Sequence, residues 1–256
     1  MIDLLLDGPV AILTLNNPAA NTFTAAGLLR LVELIDELNQ DMNIYAIVVT
    51  GQGEKFFSAG ADLNTFADGG KEQARQMAQR FGTAFEALQN ARPVVIAAIN
   101  GYAMGGGLEC ALACDMRIAE EHAQMALPEP SVGLLPCGGG TQTLPWLVGE
   151  GWAKRMILTN ERVNAETALR IGLIEQVVPR GESRSAAVKL AQRAAGLSPR
   201  ALTFSKRLIH QARQGVPRQA ALALERERFI DLFDGTDQRE GVRAFLEKRK
   251  PQWKNA

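Results

Sequence analysis

The chain has 256 residues, of which 46% are hydrophobic, and its 28 basic side chains are balanced by 28 acidic ones. This length suffices for one large domain, or for a domain with an appended subdomain, around a substantial core. Because the charges balance, no overall field attracts a polyanion, and the composition argues against nucleic acid as the main partner.

The three cysteines, Cys110, Cys114 and Cys137, do not form a disulfide framework because their number is odd. Cys110 and Cys114 lie one helical turn apart in an alanine-rich segment, a pattern more typical of apolar packing than of a metal site. We interpret the two histidines, His122 and His210, as structural, so no metal site is predicted. The start of the chain shows no leader pattern, and no apolar run reaches membrane-spanning length. We therefore expect a cytoplasmic protein without membrane association.

The N-terminal part of the chain predicts a hairpin of strands at 2–6 and 10–15, followed by a helix at 24–39. Apolar strands at 44–50 and 93–99 each run into a glycine-containing turn. Because both strands are apolar at almost every position, we expect them to be buried on both faces.

A helix at 71–90 is predicted between those two strands, and a helix at 107–114 follows the second turn. Two further strands, at 116–119 and 123–127, come next. Strand and helix thus alternate about every forty residues, which predicts repeated strand-strand-helix units with parallel pairing.

Beyond Pro179 the predicted elements are amphipathic helices. They lie at 182–195, 200–211, 218–233 and 238–249. An apolar stripe on the third of them contains Leu222, Phe229, Ile230 and Phe233. Such a stripe is more typical of core than of a subunit interface, and both interpretations stay open.

Two glycine-rich turns, Phe56–Leu63 and Ile99–Glu109, carry the strongest functional signal. Where a strand gives way to a helix, backbone N–H groups lack intrahelical partners, and glycine lets the backbone approach a bound group. Two such turns facing each other would direct two N–H donors at one oxygen, which is an oxyanion hole. Each glycine cluster taken alone is equally consistent with tight packing.

The spacing of the glycines and serines does not match the motifs of nucleotide-binding proteins or of serine enzymes. The glycine clusters complete neither G-x-G-x-x-G nor a phosphate loop, and the chain contains neither G-x-S-x-G nor S-x-x-K. Dinucleotide binding, nucleotide hydrolysis and covalent serine catalysis are therefore not predicted.

Glu109 follows the second turn, and Glu129 lies between two prolines in an uncharged stretch. Each acid alone is ambiguous, because Glu109 suits the first turn of a helix and Glu129 could be an ordinary solvated acid. Together with the two turns, they fit reversible addition of water beside a thioester carbonyl. The N–H donors would stabilise the enolate, and two carboxyl groups sharing a water would activate it and deliver a proton.

In order and spacing, these motifs resemble the crotonase (enoyl-CoA hydratase/isomerase) superfamily over nearly the whole chain, from Leu13 to Pro251. The resemblance implies an α/β crotonase (ClpP-like) fold, a spiral of strand-strand-helix repeats with a C-terminal helical trimerisation region. It divides the chain into a spiral core with the active site at 1–195 and a helical region for oligomerisation at 196–256. The implied assembly is a homo-oligomer, either a trimer or a dimer of trimers.

By the same resemblance, the backbone N–H groups of Ala61 and Gly106 form the oxyanion hole. Glu129 is implied to exchange the proton at Cα, while Glu109 holds and activates the water. Cys137 stands where many relatives have glycine, at a position whose N–H points toward the catalytic water.

The implied substrate is an acyl-CoA thioester, so coenzyme A is part of the substrate and no separate cofactor is expected. Phe245 and Lys248 match residues that reach the coenzyme of a neighbouring subunit, and Asn64 replaces a lysine common in relatives. The coenzyme path is implied to run along Lys55, Ser58, Ala59, Gly60, Ala61, Asp62 and Leu63.

The expected activity is that of an enoyl-CoA hydratase, which converts a trans-2-enoyl-CoA into the 3-hydroxyacyl-CoA, as in fatty acid β-oxidation. An alternative within the fold is a Δ3,Δ2-enoyl-CoA isomerase or another CoA lyase that uses Glu129 principally. An alternative of another class is an RNA-binding crotonase relative, against which the balanced charge argues.

Overall fold

An antiparallel hairpin opens the chain in the computed structural model, which describes residues 1–67 and 69–255. Its strands are β1 (Ile2–Asp7) and β2 (Val10–Leu15). Helix α1 (Ala25–Gln40) begins after Thr24, whose side chain accepts a hydrogen bond from the N–H of Gly27 and so caps the first turn.

Three strand-strand-helix units follow, as the repeat pattern predicts. The first comprises β3 (Ala46–Gly51), β4 (Phe56–Ser58) and α2 (Lys71–Asn90), the second β5 (Val94–Ile99), β6 (Tyr102–Met104) and α3 (Gly106–Ala113), and the third β7 (Met116–Glu120), β8 (Gln124–Ala126) and α4 (Gly140–Leu158). Short 3-10 helices at Leu63–Phe66 and Glu129–Val132 precede α2 and α4. Two further strands then complete the sheets, β9 (Val163–Asn164) and β10 (Gln176–Val178), with helix α5 (Ala165–Arg170) between them.

Each unit gives its first strand to one sheet and its second strand to another. The six-stranded sheet has the order β1-β2-β3-β5-β7-β10, and the four-stranded sheet has the order β4-β6-β8-β9. Corresponding strands of neighbouring units are hydrogen-bonded in parallel: β3 with β5, β5 with β7, β4 with β6, and β6 with β8. This confirms the predicted parallel pairing. Successive turns of the chain therefore stack, and equivalent loops of neighbouring units lie side by side.

The six-stranded sheet is covered on both faces. Every residue of β3 and β5 is buried, which explains why these strands read as unbroken apolar runs. Helices α1, α2 and α3 contribute to the larger hydrophobic cluster, on one side of the sheet. Helix α6 (Ser183–Ala195) packs on the opposite side through Ala187 and Ala191.

The chain ends in helices that are only partly covered. These are α7 (Pro199–Arg213), α8 (Arg218–Asp231) and α9 (Thr236–Leu246), with a 3-10 turn at Leu232–Asp234 between the last two. Phe229, Ile230 and Phe233 are 62%, 65% and 49% exposed, so the interpretation of their stripe as core is wrong for the single chain.

Sequence patterning missed several elements for identifiable reasons. Strands β4 and β6 are only three residues long and lie inside what the sequence presents as turns. Helix α4 contains Pro145 and a kink at Gly149, where φ is 78°, so its apolar periodicity is interrupted. Within the described ranges, no helix combines the length and apolar character needed to cross a bilayer.

Candidate active site

The first glycine-rich turn follows β4 and is held by backbone hydrogen bonds to Phe23. The N–H of Phe23 donates to the carbonyl of Gly60 at 2.8 Å, and the N–H of Asp62 donates to the carbonyl of Phe23 at 3.3 Å. Ala61 lies between these two bonds. Its own N–H makes no backbone hydrogen bond within the described residues, so it is available to a substrate oxygen.

The second turn leads directly into α3. Gly105 has a φ of 53°, in the left-handed region that favours glycine, and Gly106 is the first helical residue. At this position an N–H has no intrahelical acceptor, and none is formed by Gly106 elsewhere in the part of the chain that the structure describes. The helix dipole adds partial positive charge at the same place.

The two turns are in backbone contact. A Cβ at Gly60, where φ is 87°, would lie 2.7 Å from the carbonyl oxygen of Met104 and 2.9 Å from the nitrogen of Gly106. Only glycine permits this approach. It places the backbone that carries the N–H of Ala61 beside the backbone that carries the N–H of Gly106, as an oxyanion hole requires.

Glu109 lies one turn into α3 and is only 3% exposed. Its Oε1 accepts hydrogen bonds of 2.8 Å from the backbone N–H groups of both Gly138 and Gly140. Burial raises the pKa of Glu109, although these bonds act in the opposite direction. The glycine-rich segment before α4 therefore fixes the orientation of this carboxyl group.

Glu129 begins the 3-10 helix that follows β8, and it is half-buried. Its Oε1 lies 3.0 Å from the position that a Cβ at Gly105 would occupy, which places the carboxyl group against the second turn. Its Oε2 is buried and has no hydrogen-bond partner in residues 1–67 and 69–255. Burial raises the pKa of Glu129 to about 7, and the charge of Glu109 contributes to this rise.

The two carboxyl groups can therefore differ in protonation near neutral pH. A group with a pKa of about 7 can hold a proton that it gives up at low cost. The neighbouring carboxyl group of Glu109, oriented by the backbone, can accept a hydrogen bond from water. Two N–H donors and two unequal carboxyl groups match the requirements for adding water to a conjugated thioester.

A model of the family described as "Enoyl-CoA hydratase/isomerase" matches residues 7–256. The chain belongs to the enoyl-CoA hydratase/isomerase family. The expected membership of the crotonase superfamily and the expected α/β crotonase fold are thereby confirmed, and the family implies acyl-CoA substrates.

Individual relatives agree with this over at least 95% of both chains. The structure of DspI from Pseudomonas aeruginosa is 66% identical, with a TM-score of 0.96 over 99% of this chain and 96% of that one. An enoyl-CoA hydratase structure from Bacillus anthracis is 37% identical, with a TM-score of 0.95 over 100% and 99% of the two chains. The 2,3-dehydroadipyl-CoA hydratase of Escherichia coli is 41% identical over 246 residues, covering 96% of this chain and 95% of the relative.

In this member of the enoyl-CoA hydratase/isomerase family, the polar side chains of the first turn form hydrogen bonds with the backbone of the turn and its neighbours. The buried hydroxyl of Ser58 donates to the carbonyl of Asn21 at 2.7 Å and accepts from the N–H of Gly60 at 3.1 Å. Asp62 Oδ1 caps the following 3-10 helix by accepting from the N–H of Asn64. The hydroxyl of Ser58 is thus fully engaged within the turn, and the residue has no exposed surface in the single chain.

Three other residues predicted along the coenzyme path differ in how accessible they are to a ligand. Lys55 is exposed, with its Nζ 5.4 Å from the ring centre of Phe56. Leu63 is 52% exposed. The N–H of Ala59 is committed to the carbonyl of Ala20 at 2.9 Å.

Cys137, Phe245 and Lys248 occupy different environments. Cys137 lines the cavity that contains Glu109, its φ is not left-handed, and burial first and then Glu109 raise its thiol pKa to about 11. Phe245 is 83% exposed, Lys248 is also exposed, and neither lines that cavity. The single chain therefore does not bring the C-terminal pair to the cavity of Glu109.

Sequence reasoning missed the aromatic wall beside the two turns. A Cβ at Gly106 would lie 2.9 Å from the ring of Phe81, and a Cβ at Gly138 would lie 2.6 Å from the ring of Phe85. Both rings project from α2, and each meets Phe23 edge-on. Phe81 and Phe85 are four residues apart, so the predicted helix places them on one face, but nothing local indicated which glycines they would contact.

The part of the chain that the structure describes contains no group of three or more His, Cys, Asp or Glu side chains placed to hold a metal ion.

Proposed function

We propose that this protein is an enoyl-CoA hydratase, which adds water reversibly to a trans-2-enoyl-CoA and gives the 3-hydroxyacyl-CoA. The observation that carries the proposal is the placement of two unequal carboxyl groups, Glu109 and Glu129, beside a pair of turns whose N–H groups have no partner within the described residues. An isomerase needs mainly one base, whereas hydration needs a second group to hold the water.

In the proposed reaction, the thioester oxygen binds the N–H groups of Ala61 and Gly106. Addition at Cβ places negative charge on that oxygen as the enolate forms, and each donor contributes about 3 kcal/mol of stabilisation in related acyl chemistry. These donors act without reorganisation, because the Phe23 bridge and the start of α3 fix them.

Glu109 is the group that holds and activates the water. Its bonds to Gly138 and Gly140 occupy Oε1 and leave Oε2 as the acceptor for a water proton. Glu129 supplies the proton to Cα, and its pKa of about 7 keeps that proton bound but transferable. In the reverse direction each group reverses its own step, as microscopic reversibility requires: Glu129 removes the proton from Cα, and Glu109 gives a proton to the departing hydroxyl.

We propose further that the working protein is a homo-oligomer, a trimer or a dimer of trimers. The exposed apolar side chains of α8 and α9 are typical of an interface. Phe245 and Lys248 are exposed and do not line the Glu109 cavity of their own chain, which agrees with a role at the coenzyme of a neighbouring subunit.

The decisive experiment incubates the purified protein with crotonyl-CoA and, separately, with a 3-enoyl-CoA. Hydration is followed by the loss of ultraviolet absorbance of the conjugated thioester, and the product is identified by mass spectrometry as the 3-hydroxyacyl-CoA. Double-bond migration in the 3-enoyl-CoA without hydration of crotonyl-CoA would replace the hydratase assignment with the isomerase. Salt-dependent retention on RNA without either activity would favour the RNA-binding alternative.

A further inference from the structure

The cavity that contains Glu109 is lined by many polar side chains, which a bound hydrocarbon chain would desolvate. It has a volume of about 480 Å³ and is enclosed by α2, α3, the 136–143 segment and the C-terminal end of α7. Phe85 and Trp146 supply apolar surface. The polar lining residues include Glu86, Gln89, Gln142, His210, Arg213 and Gln214.

The cavity runs along α3, from Glu109 toward the C-terminal end of that helix, and the polar residues of α7 line its far end. Both Glu109 and Ala113 line the cavity, and they are separated by about 6 Å along α3, at 1.5 Å per residue. Asp115, just past the end of α3, contacts α7, with its Oδ1 3.7 Å from Nε2 of His210. The cavity therefore extends from Glu109 toward the end of α7, where Arg213 lies.

The positive charge of Arg213 is attracted by Asp115, but no carboxylate in residues 1–67 and 69–255 forms an ion pair with it. Asp115 is paired with Lys206 at 2.7 Å, and Glu175 is paired with Arg117 at 2.5 Å. Arg213 is half-buried and forms no ion pair or side-chain hydrogen bond within residues 1–67 and 69–255.

Among the α2 residues that line the cavity, Glu86 is the acidic one. It does not pair with the Arg213 guanidinium. Its side chain is exposed, and the described residues show no ion pair between it and Arg213. Solvent weakens the interaction of an exposed carboxylate with a charge across a cavity.

We propose that the far end of this cavity is a subsite for a carboxylate at the distal end of the acyl chain, with Arg213 as its partner. The substrates of the proposed hydratase would then be ω-carboxyacyl-CoA thioesters, so this inference rests on the proposed function. An alkyl terminus would desolvate the Arg213 guanidinium without replacing its hydrogen bonds, which is unfavourable. A carboxylate would form charge-assisted bonds with it, for which the planar guanidinium is well suited.

A binding experiment tests this subsite without requiring turnover. Calorimetric titration compares saturated, unreactive thioesters of equal carbon number: glutaryl-CoA with pentanoyl-CoA, adipoyl-CoA with hexanoyl-CoA, and suberoyl-CoA with octanoyl-CoA. We expect the carboxylated member of at least one pair to bind about tenfold more tightly, as a charge-assisted hydrogen bond in a half-buried site provides.

Variants locate the effect. Arg213→Met should remove the preference while changing the affinity for the alkyl thioester less than about threefold. Arg207→Met, at an exposed arginine of the same helix, is the matched control and should retain the preference. Arg213→Gln is the second variant if the methionine variant does not fold.

Equal or tighter binding of the alkyl thioester in every pair would overturn the subsite and leave the hydratase proposal intact. The same holds if the preference survives in both Arg213 variants. Failure of every CoA ester to bind would overturn the subsite and the proposed function together. A carboxylate preference in a protein that does not hydrate crotonyl-CoA would support the subsite and count against the hydratase.

Discussion

Glu109 and Glu129 are held in opposite ways. Oε1 of Glu109 accepts two backbone hydrogen bonds, whereas Oε2 of Glu129 is buried without a partner in the described residues. Burial raises the pKa of both groups. One carboxyl group is therefore fixed in orientation, and the other keeps an oxygen free for the substrate, so the proposed division between water activation and proton transfer has a structural basis.

Removing either acid should abolish most hydration. We expect Glu109→Gln and Glu129→Gln each to lower kcat for crotonyl-CoA by about 100-fold or more, because each transfers or orients a proton in the transition state. The double variant should be only slightly worse, since the two groups act as a unit. Steady-state kinetics measure this, and near-normal hydration by Glu109→Gln would contradict the hydratase assignment.

We expect kcat/KM to depend on pH in the same way for hydration and for dehydration. Hydration consumes no net proton, so kcat/KM for hydration and for dehydration must follow the same profile, with the singly protonated acid pair as the active form. Because the pKa of Glu129 is raised to about 7, that last proton is lost above this pH, and kcat/KM should then fall about tenfold per pH unit. Measurements from about pH 5 to about pH 9 with an enoyl and a 3-hydroxyacyl thioester test this. A flat profile up to about pH 9 would show that neither acid must hold a proton.

Deleting the N–H of residue 61 tests the oxyanion hole. Ala61→Pro removes this donor, while the bridge to Phe23 uses the carbonyl of Gly60 and the N–H of Asp62 and can persist. We expect kcat to fall about 100-fold or more. Ala61→Gly keeps the N–H and serves as the control, with only a small expected loss. Normal turnover by a folded Ala61→Pro variant would refute the assignment.

Because the glycine-rich segment packs closely against Glu109, adding one methyl group at Gly138 should lower activity. A Cβ at Gly138 would lie 2.6 Å from the ring of Phe85 and 3.0 Å from Oε2 of Glu109. Gly138→Ala should lower hydration by about 10- to 100-fold by displacing the carboxyl group, and should cost about 1–3 kcal/mol of stability by overpacking.

Gly151→Ala is the matched control for that change. Gly151 lies in α4 with no atom within 4 Å of an added Cβ, so activity should be unchanged and stability slightly higher. Partial recovery of activity in a Gly138→Ala/Phe85→Leu variant would identify the ring as the obstacle. Unaltered kinetics of Gly138→Ala would show that the position of Glu109 tolerates the methyl group.

The proposed oligomer predicts that substrate binding is weakened by a change at Lys248, which lies outside the Glu109 cavity of its own chain. Lys248→Ala should raise KM for the CoA ester with little change in kcat, because uniform binding is lost. Lys189→Ala, at an exposed lysine of α6, should leave both constants unchanged. Deletion beyond Pro217 should break the oligomer in sedimentation experiments. A monomeric wild-type protein would rule out the cross-subunit contact.

The sequence by itself determined the repeat and the chemistry of its turns. Continuous apolar runs identified β3 and β5 as strands buried on both faces, and the glycines after them marked where the backbone approaches a neighbour. Glu109 and Glu129 could be singled out because charged residues are rare in such surroundings. These signals are local, since periodicity and turn chemistry depend on residues near each other in the chain.

The tertiary structure alone decided what these residues contact. The backbone contact between Gly60 and Gly106, so close that a Cβ on Gly60 would lie 2.9 Å from the nitrogen of Gly106, joins segments that no local pattern links. The hydrogen bond from the N–H of Gly138 to Glu109 does the same. The same packing placed Arg213 at the cavity. It also left Phe229 exposed where the sequence pattern favoured burial. Burial and partnership depend on how whole elements fill space against one another, and this information is spread over the entire chain.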